Sequence, residues 1–233
     1  MATAASLSTA RGCELVGSVR VTPPREYREG VERAIEVFSD VWCPFAYVGI
    51  RRVLAERDRA GAGTVLSFRA WPLELVNGAP LPADLVVEEA RALQAQVAPE
   101  LFAGIGAKHF PSSTIGALGL SAWAADAGPV VGEQVALELR SSLFERGVDI
   151  GDHSVLERIA AVHGLSMPAP SWMLARVTAD LEEGRRRGVR GSPHFFVGTE
   201  DYFCPTLRLS REGGLLRAGV DVDGLATFLT RAL

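Results

Sequence analysis

The sequence predicts an α/β chain whose order is strand–helix–strand, a long helical block, then strand–strand–helix. Three observations predict it. Ala34-Ile35-Glu36-Val37-Phe38-Ser39 and Thr64-Val65-Leu66-Ser67-Phe68-Arg69-Ala70-Trp71 are short β-type runs on either side of an amphipathic segment of helix length. That arrangement is a βαβ unit, with parallel strands and a right-handed crossover. From about 83 to 187, apolar residues recur at helical spacing between Gly and Pro breakers. β-signals then return at His194-Phe195-Phe196-Val197.

Each element has a local cause. The first strand breaks at Asp40-Val41-Trp42-Cys43-Pro44. Pro44 suits the first turn of a helix, where its missing N–H costs nothing. That helix continues through Tyr47, Val48, Ile50, Val53 and Leu54, an apolar stripe opposite Arg51, Arg52, Glu56 and Arg57. It stops near Gly61-Ala62-Gly63. Pro72 to Pro82 reads as a loop. Helices are expected at 84–103, 114–128, 130–146, 153–163 and 172–187, with Asp152 or His153 opening the fourth and Ser171 suited to cap the fifth. Gly198-Thr199-Glu200-Asp201 reads as a turn. Tyr202 to Leu209 reads as a strand in which Pro205 marks an edge or a bulge. Gly213-Gly214 is another turn, and Asp221 or Asp223 caps a last helix through Phe228 to Leu233. Small residues, Pro23-Pro24 and mixed charges make 1–30 a flexible lead-in. The expected organisation is therefore 1–30 as lead-in, 31–72 with 188–233 as one α/β domain, and 73–187 as an inserted helical domain.

Composition narrows the function. The chain has 233 residues, 48% of them hydrophobic, which suits a packed core without disulfide staples. The formal net charge of -4 gives no basic footprint for nucleic acid or an anionic membrane. No run of about 18 apolar residues occurs, so no membrane helix is expected. Arg11, Glu14 and Arg20 interrupt any signal-peptide core, and the expected compartment is the cytoplasm. His109, His153, His163 and His194 are scattered, and Cys13, Cys43 and Cys204 form no zinc spacing, so no metal is expected.

Two passages, in this order and separation, resemble the DsbA-like family of thioredoxin-fold proteins. Phe38-Ser39-Asp40-Val41-Trp42-Cys43-Pro44-Phe45-Ala46-Tyr47-Val48-Gly49 is similar to the active-site turn of FrnE-type relatives. Gly188-Val189-Arg190-Gly191-Ser192-Pro193-His194-Phe195-Phe196-Val197 is similar to the segment that holds the family's cis-proline. A third segment, His109-Phe110-Pro111-Ser112-Ser113-Thr114, resembles part of the family's helical insertion. The resemblance implies a thioredoxin-like fold with a large all-helical insertion between the βαβ and ββα halves. It also implies Cys43 and Pro193 as the catalytic pair. Where the family's second Cys stands, this chain has Ala46, so an intramolecular C-x-x-C cycle is excluded. Kappa-class glutathione transferases and 2-hydroxychromene-2-carboxylate isomerases also lack that pair, and they commonly carry a Ser at the Cys43 position.

The chemistry of each residue follows from its type and place. Cys43 precedes a helix, facing free N–H groups and the positive end of the dipole. Both favour thiolate, with values of roughly 3.5 to 7 in comparable sites against about 8.5 for a free Cys. A lone Cys is also commonly a small buried hydrophobe. Trp42, Pro44 and Phe45 around the sulfur, with Ser192 and His194 beside Pro193, are the expected substrate- or thiol-binding residues. Trp42, Phe45 and Tyr47 line an apolar cleft or belong to the core, and Asp40 tunes the site or caps the turn. A hairpin turn centred on 199 and 200 pairs Cys204 with Phe195 and makes it either a resolving thiol or a structural Cys. Three functions stand open. One is a monothiol oxidoreductase whose mixed disulfide is resolved by glutathione or mycothiol. Another is a thiol-cofactor-dependent isomerase or transferase of a small organic molecule. The third is a non-catalytic binding module.

Overall fold

β1 (Ala34–Ser39) and β2 (Val65–Ala70) pair in parallel across α1 (Pro44–Ala60), in register from Ala34 against Val65 to Ser39 against Ala70. The computed structural model describes residues 34–233, so Cys13 and the lead-in 1–30 lie outside it. β3 (His194–Val197) runs antiparallel to β1, and β4 (Glu200–Phe203) antiparallel to β3, giving the order β2-β1-β3-β4. Between β2 and β3 lie α2 (Leu73–Asn77), α3 (Ala83–Gln96), α4 (Ile115–Ala127), α5 (Pro129–Phe144), α6 (His153–Val162) and α7 (Pro170–Arg186). After β4 come the hairpin β5 (Leu207–Glu212) and β6 (Leu215–Val220), then α8 (Val222–Ala232). This is the thioredoxin-like fold with the helical insertion that the sequence predicts.

Alternation along the strands builds two faces. Ile35, Val37, Leu66 and Phe195 point to one face, against Ile50 and Val53 of α1 and Phe228 of α8. Phe38 and Phe196 point to the other, where they meet Trp71 and Leu181 of α7. A third apolar cluster joins the helical block to the turn before α1, since Val41, Trp42 and Tyr47 pack with residues such as Leu118, Leu139 and Phe144. β2 is an edge strand, and carboxylates accept two of its outer N–H groups. Glu133 of α5 accepts from Leu66 at 2.7 Å, and Asp180 of α7 accepts from Ala70 at 3.0 Å. Such cover blunts the open hydrogen-bonding edge that invites association.

Three expectations are corrected. The helix expected at 84–103 ends at Gln96, because Val97 leaves helical geometry (φ -141°). The loop after Trp71 contains the short helix α2, and its Gly78 takes the left-handed conformation (φ 75°) that closes it. The strand expected from 202 to 209 is split. Cys204 turns to φ 47° and Thr206 interrupts the ladder, so Leu207 onward pairs with β6 in a separate sheet. β6 itself is masked in the sequence by Arg217 and Gly219, one charged residue and one glycine.

Gly184 lets α7 lie close against Trp71 and Phe38. An added Cβ would lie 2.7 Å from Trp71 Cζ3 and 3.1 Å from Phe38 Cδ1. Gly184→Ala should lower the urea-unfolding stability by roughly 1–3 kcal/mol through overpacking. The gain of up to ~1 kcal/mol that Ala brings to a helix is smaller than that cost.

Candidate active site

Pro44 occupies the first turn of α1, and Cys43 is its N-cap, with extended backbone (φ -76°, ψ 112°). The sulfur does what a Ser or Asp side chain does at other helix starts. It accepts the Ala46 N–H at 3.4 Å. The Ser192–Pro193 peptide bond is cis. The Ser192 carbonyl accepts the Cys43 S–H at an Sγ–O distance of 3.2 Å. Ser192 Oγ accepts the Asp40 N–H at 3.0 Å. The proline loop is thus latched to the turn before α1 at two points. Pro193 also sits over the helix, 3.6 Å from where a Cβ on Gly49 would stand, so the absent side chain at 49 lets loop and helix approach.

Cys43 is 3% exposed and belongs to the apolar cluster that includes Val37, Ile50 and Phe195. Burial pushes its thiol up to about 11, against the pull of the Ser192 hydroxyl and of the Ala46 and Phe45 amides. The expectation of an ionised sulfur is therefore corrected. The amide donors are in place, but desolvation outweighs them. The bond to the Ser192 carbonyl needs the S–H proton and so exists in the thiol form alone.

Beneath the turn lies a buried carboxyl and a buried guanidinium. Asp40 Oδ2 accepts the Leu73 N–H at 2.7 Å, and Oδ1 accepts the Trp42 N–H at 3.5 Å. Asp40 therefore caps the turn. Burial also pushes its carboxyl up to about 7, in spite of those bonds and of Arg140. Arg140 of α5 is 1% exposed, donates to Ser39 Oγ and to the Ala136 carbonyl at 2.8 Å each, and lies 4.7 Å over the Phe68 ring. Burial draws its guanidinium down to about 10, and the Asp40 and Cys43 charges oppose that. Sequence reasoning passed over Arg140. The signal was its place on the inward stripe of α5, four residues from Ala136 and three from Leu143.

The aromatic residues divide. Trp42 is fully buried and stacks on Phe110 at 5.5 Å, while Tyr47 stacks on Phe144 at 5.0 Å. Both belong to the core and line no cleft. Pro44 is buried at the helix start, and Phe45 is half-buried between two apolar clusters. Phe110 brings the segment 109–114 against the turn before α1.

His194 points away from the sulfur. It stands next to Phe195 in β3, so its side chain takes the opposite face of the sheet, 4.8 Å from the Phe196 ring. Its Nδ1 accepts the Arg190 N–H at 3.1 Å, and its Nε2 meets Asp201 Oδ1 at 2.8 Å. Burial lowers its pKa against the pull of Asp201. Both ring nitrogens are thus engaged on that far face.

Cys204 lies nearer the site than the sequence suggests. Gly198 (φ 60°) and Thr199 form a two-residue turn, with Val197 paired to Glu200 and His194 to Phe203. The turn is centred one position earlier than expected, on 198 and 199. Cys204 therefore stands across from Pro193, and not Phe195. Its N–H donates to the Pro193 carbonyl at 3.1 Å.

Among the described residues no cluster of three or more His, Cys, Asp or Glu is arranged to hold a metal ion, and no helix is long and apolar enough to cross a membrane. Residues 34–210 match the family described as DSBA-like thioredoxin domain. No curated protein matches the chain. Among solved structures, a 2-hydroxychromene-2-carboxylate isomerase is 14% identical, with a TM-score of 0.51 over 73% of this chain and 88% of that one. A probable DsbA oxidoreductase from Streptomyces coelicolor is 21% identical, with a TM-score of 0.51 over 71% of this chain and 80% of that one. The cytosolic disulfide reductase DsbM from Pseudomonas aeruginosa with GSH is 15% identical, with a TM-score of 0.51 over 84% of this chain and 98% of that one. At such identities these likenesses show the fold. The family match spans well over half of the sequence, from β1 through the Cys43 turn and the cis-proline loop into β5, and the chain belongs to the DSBA-like thioredoxin domain family.

Proposed function

We propose that the chain is a thiol oxidoreductase acting through Cys43. One observation carries this reading: the Cys43 sulfur caps α1 through the Ala46 amide and touches the Ser192 carbonyl of the cis-proline loop. In the resting protein the sulfur is a guarded thiol. An entering disulfide takes over the Ser192 contact, and the amides of Phe45 and Ala46 then hold the sulfur as its proton leaves. Cys43 attacks one sulfur of the disulfide, the S–S bond breaks, and the departing thiolate takes up the proton. The product is a mixed disulfide on Cys43, which a low-molecular-weight thiol, glutathione or mycothiol, reduces. Pro193, Ser192 and Phe45 border the attacking sulfur, with Pro44 leaving the first-turn amides free. We place the activity in the cytoplasm, where such thiols are kept reduced.

Cys43→Ser should abolish exchange with glutathione disulfide, read as loss of glutathione release. Unchanged turnover in the variant would end the reading. The protonated state of Cys43 favours a second reading, in which the S–H donates to the thiolate of a bound cofactor while an organic substrate is isomerised or conjugated. A serine hydroxyl at that position is still a donor, so that reading expects Cys43→Ser to retain thiol-dependent turnover of an isomerisable aromatic substrate.

A further inference from the structure

The helix that carries Cys43 has no second sulfur, since its third residue is the fully buried Ala46. The cis-proline loop supplies the connection to one elsewhere. Consecutive carbonyls of this loop each meet a cysteine: Ser192 O accepts the Cys43 S–H at 3.2 Å, and Pro193 O accepts the Cys204 N–H at 3.1 Å. Cys204 is a free thiol, half-buried, and packs against the cluster that contains Trp42 and Tyr47. The segment that follows it is fixed to α1. Arg52 donates to the Thr206 carbonyl at 2.9 Å. Thr206 Oγ1 is buried without a partner, 3.1 Å from the position of a Gly49 Cβ and close by the Pro193 ring.

The backbone at Cys204 is unusual as well. Its φ of 47° lies in the left-handed region, where a residue other than Gly, Asn or Asp is uncommon. A strand residue at 204 would continue the ladder into β5. The left-handed turn ends the ladder instead, at the proline.

We propose that Cys43 and Cys204 form a dithiol split across the cis-proline loop, with Cys204 resolving the mixed disulfide made at Cys43. This rests on the reading of Cys43 as the attacking thiol and adds an internal step to it. With glutathione disulfide as oxidant, Cys43 first forms a bond to one glutathione and releases the other as thiol. Cys204 then attacks the Cys43 sulfur, the bond to glutathione breaks, and the Cys204 proton passes to the departing glutathione thiolate. The protein ends as a Cys43–Cys204 disulfide, oxidised by two electrons, with one glutathione disulfide reduced to two thiols. A further thiol reduces the protein disulfide and restores the start. The step requires the two Cα atoms to come within ~7 Å, which the turn at 204 must accommodate. Burial above all, with smaller contributions from the neighbouring Cys43 and Asp221, pushes the Cys204 thiol up to about 12, so in the resting protein Cys204, like Cys43, keeps its proton.

The full chain is incubated with glutathione disulfide, quenched with an alkylating agent, digested and mapped by mass spectrometry without reductant. The expected result is a cross-linked pair of peptides containing Cys43 and Cys204, with glutathione on Cys43 only as a trace. In Cys204→Ser, and independently in Cys204→Ala, the cross-link is lost and the Cys43–glutathione adduct becomes the dominant species. A stable adduct on Cys43 in the unaltered chain, as abundant as in the Cys204 variants, would overturn the inference and leave the role of Cys43 standing. Absence of any reaction at Cys43 would overturn both.

Discussion

Asp40→Asn should remove a pH dependence of stability on the order of 4 kcal/mol. The Asp40 carboxyl is fully buried, and burial raises it from 3.8 to about 7. Each tenfold change in proton affinity is worth about 1.4 kcal/mol, which sets the size. The sign follows from linkage. The folded state binds the Asp40 proton more tightly than the unfolded chain does, so the favourable contribution is complete below pH 3.8. It is lost progressively as pH rises towards 7, and little changes beyond. Asn cannot ionise and carries no such slope. Urea unfolding at intervals from acid to about pH 8 should show the wild type weakening relative to Asp40→Asn as pH rises through that window. Parallel curves for the two proteins would show that the carboxyl titrates normally, and that it is neither as desolvated nor as weakly served by Arg140 as the structure has it.

The same environment governs Cys43, where the effect on reactivity is larger than that on stability. A thiol raised from 9.0 to about 11 presents about a hundredfold less thiolate at neutral pH. The thiolate is the attacking species, so the resting protein should be slow towards simple alkylating agents. A guarded thiol is consistent with a site that reacts after a ligand has displaced the Ser192 carbonyl. It also restrains unwanted oxidation of the sulfur. Asp40 and Cys43 are coupled through this burial. An ionised Asp40 adds to the load on the Cys43 thiol, while Arg140 stands behind both.

Much of this was legible in the sequence where the cause is local. Pro44 after Cys43 announces the helix start, Gly61 its left-handed end, and the alternation in β1 and β3 the faces of the sheet. The Ser192-Pro193 segment was found by resemblance, and its distance from Cys43 in sequence gave no hint of the latch from Asp40 N–H to Ser192 Oγ. What the sequence did not reveal depends on tertiary cover. A helix N-terminus favours a thiolate only if solvent or several amides reach it. Here the sulfur is buried in an apolar cluster that draws Val37, Ile50 and Phe195 from three separate elements. Arg140 reads as an ordinary helix cation until β1 supplies Ser39 and β2 supplies Phe68 as its partners. The position of Cys204 turned on a single residue in a hairpin. Gly198 opens a two-residue turn of the II′ kind, which matches the twist of the flanking strands, and moves the register by two positions. His194 shows the converse limit. Its adjacency to Pro193 suggested the site, but alternation along a strand sends neighbouring side chains to opposite faces.

The pH profile of Cys43 alkylation in the free, full-length protein tests the central claim most directly. Iodoacetamide modification is followed by peptide mapping, so that Cys43 is read apart from Cys13 and Cys204. A desolvated thiol bonded to the Ser192 carbonyl should react slowly at neutral pH, and its rate should still be climbing above pH 9, towards an inflection near about 11. Rapid modification with an inflection below about 7, the behaviour of an activated helix-start cysteine, would contradict it.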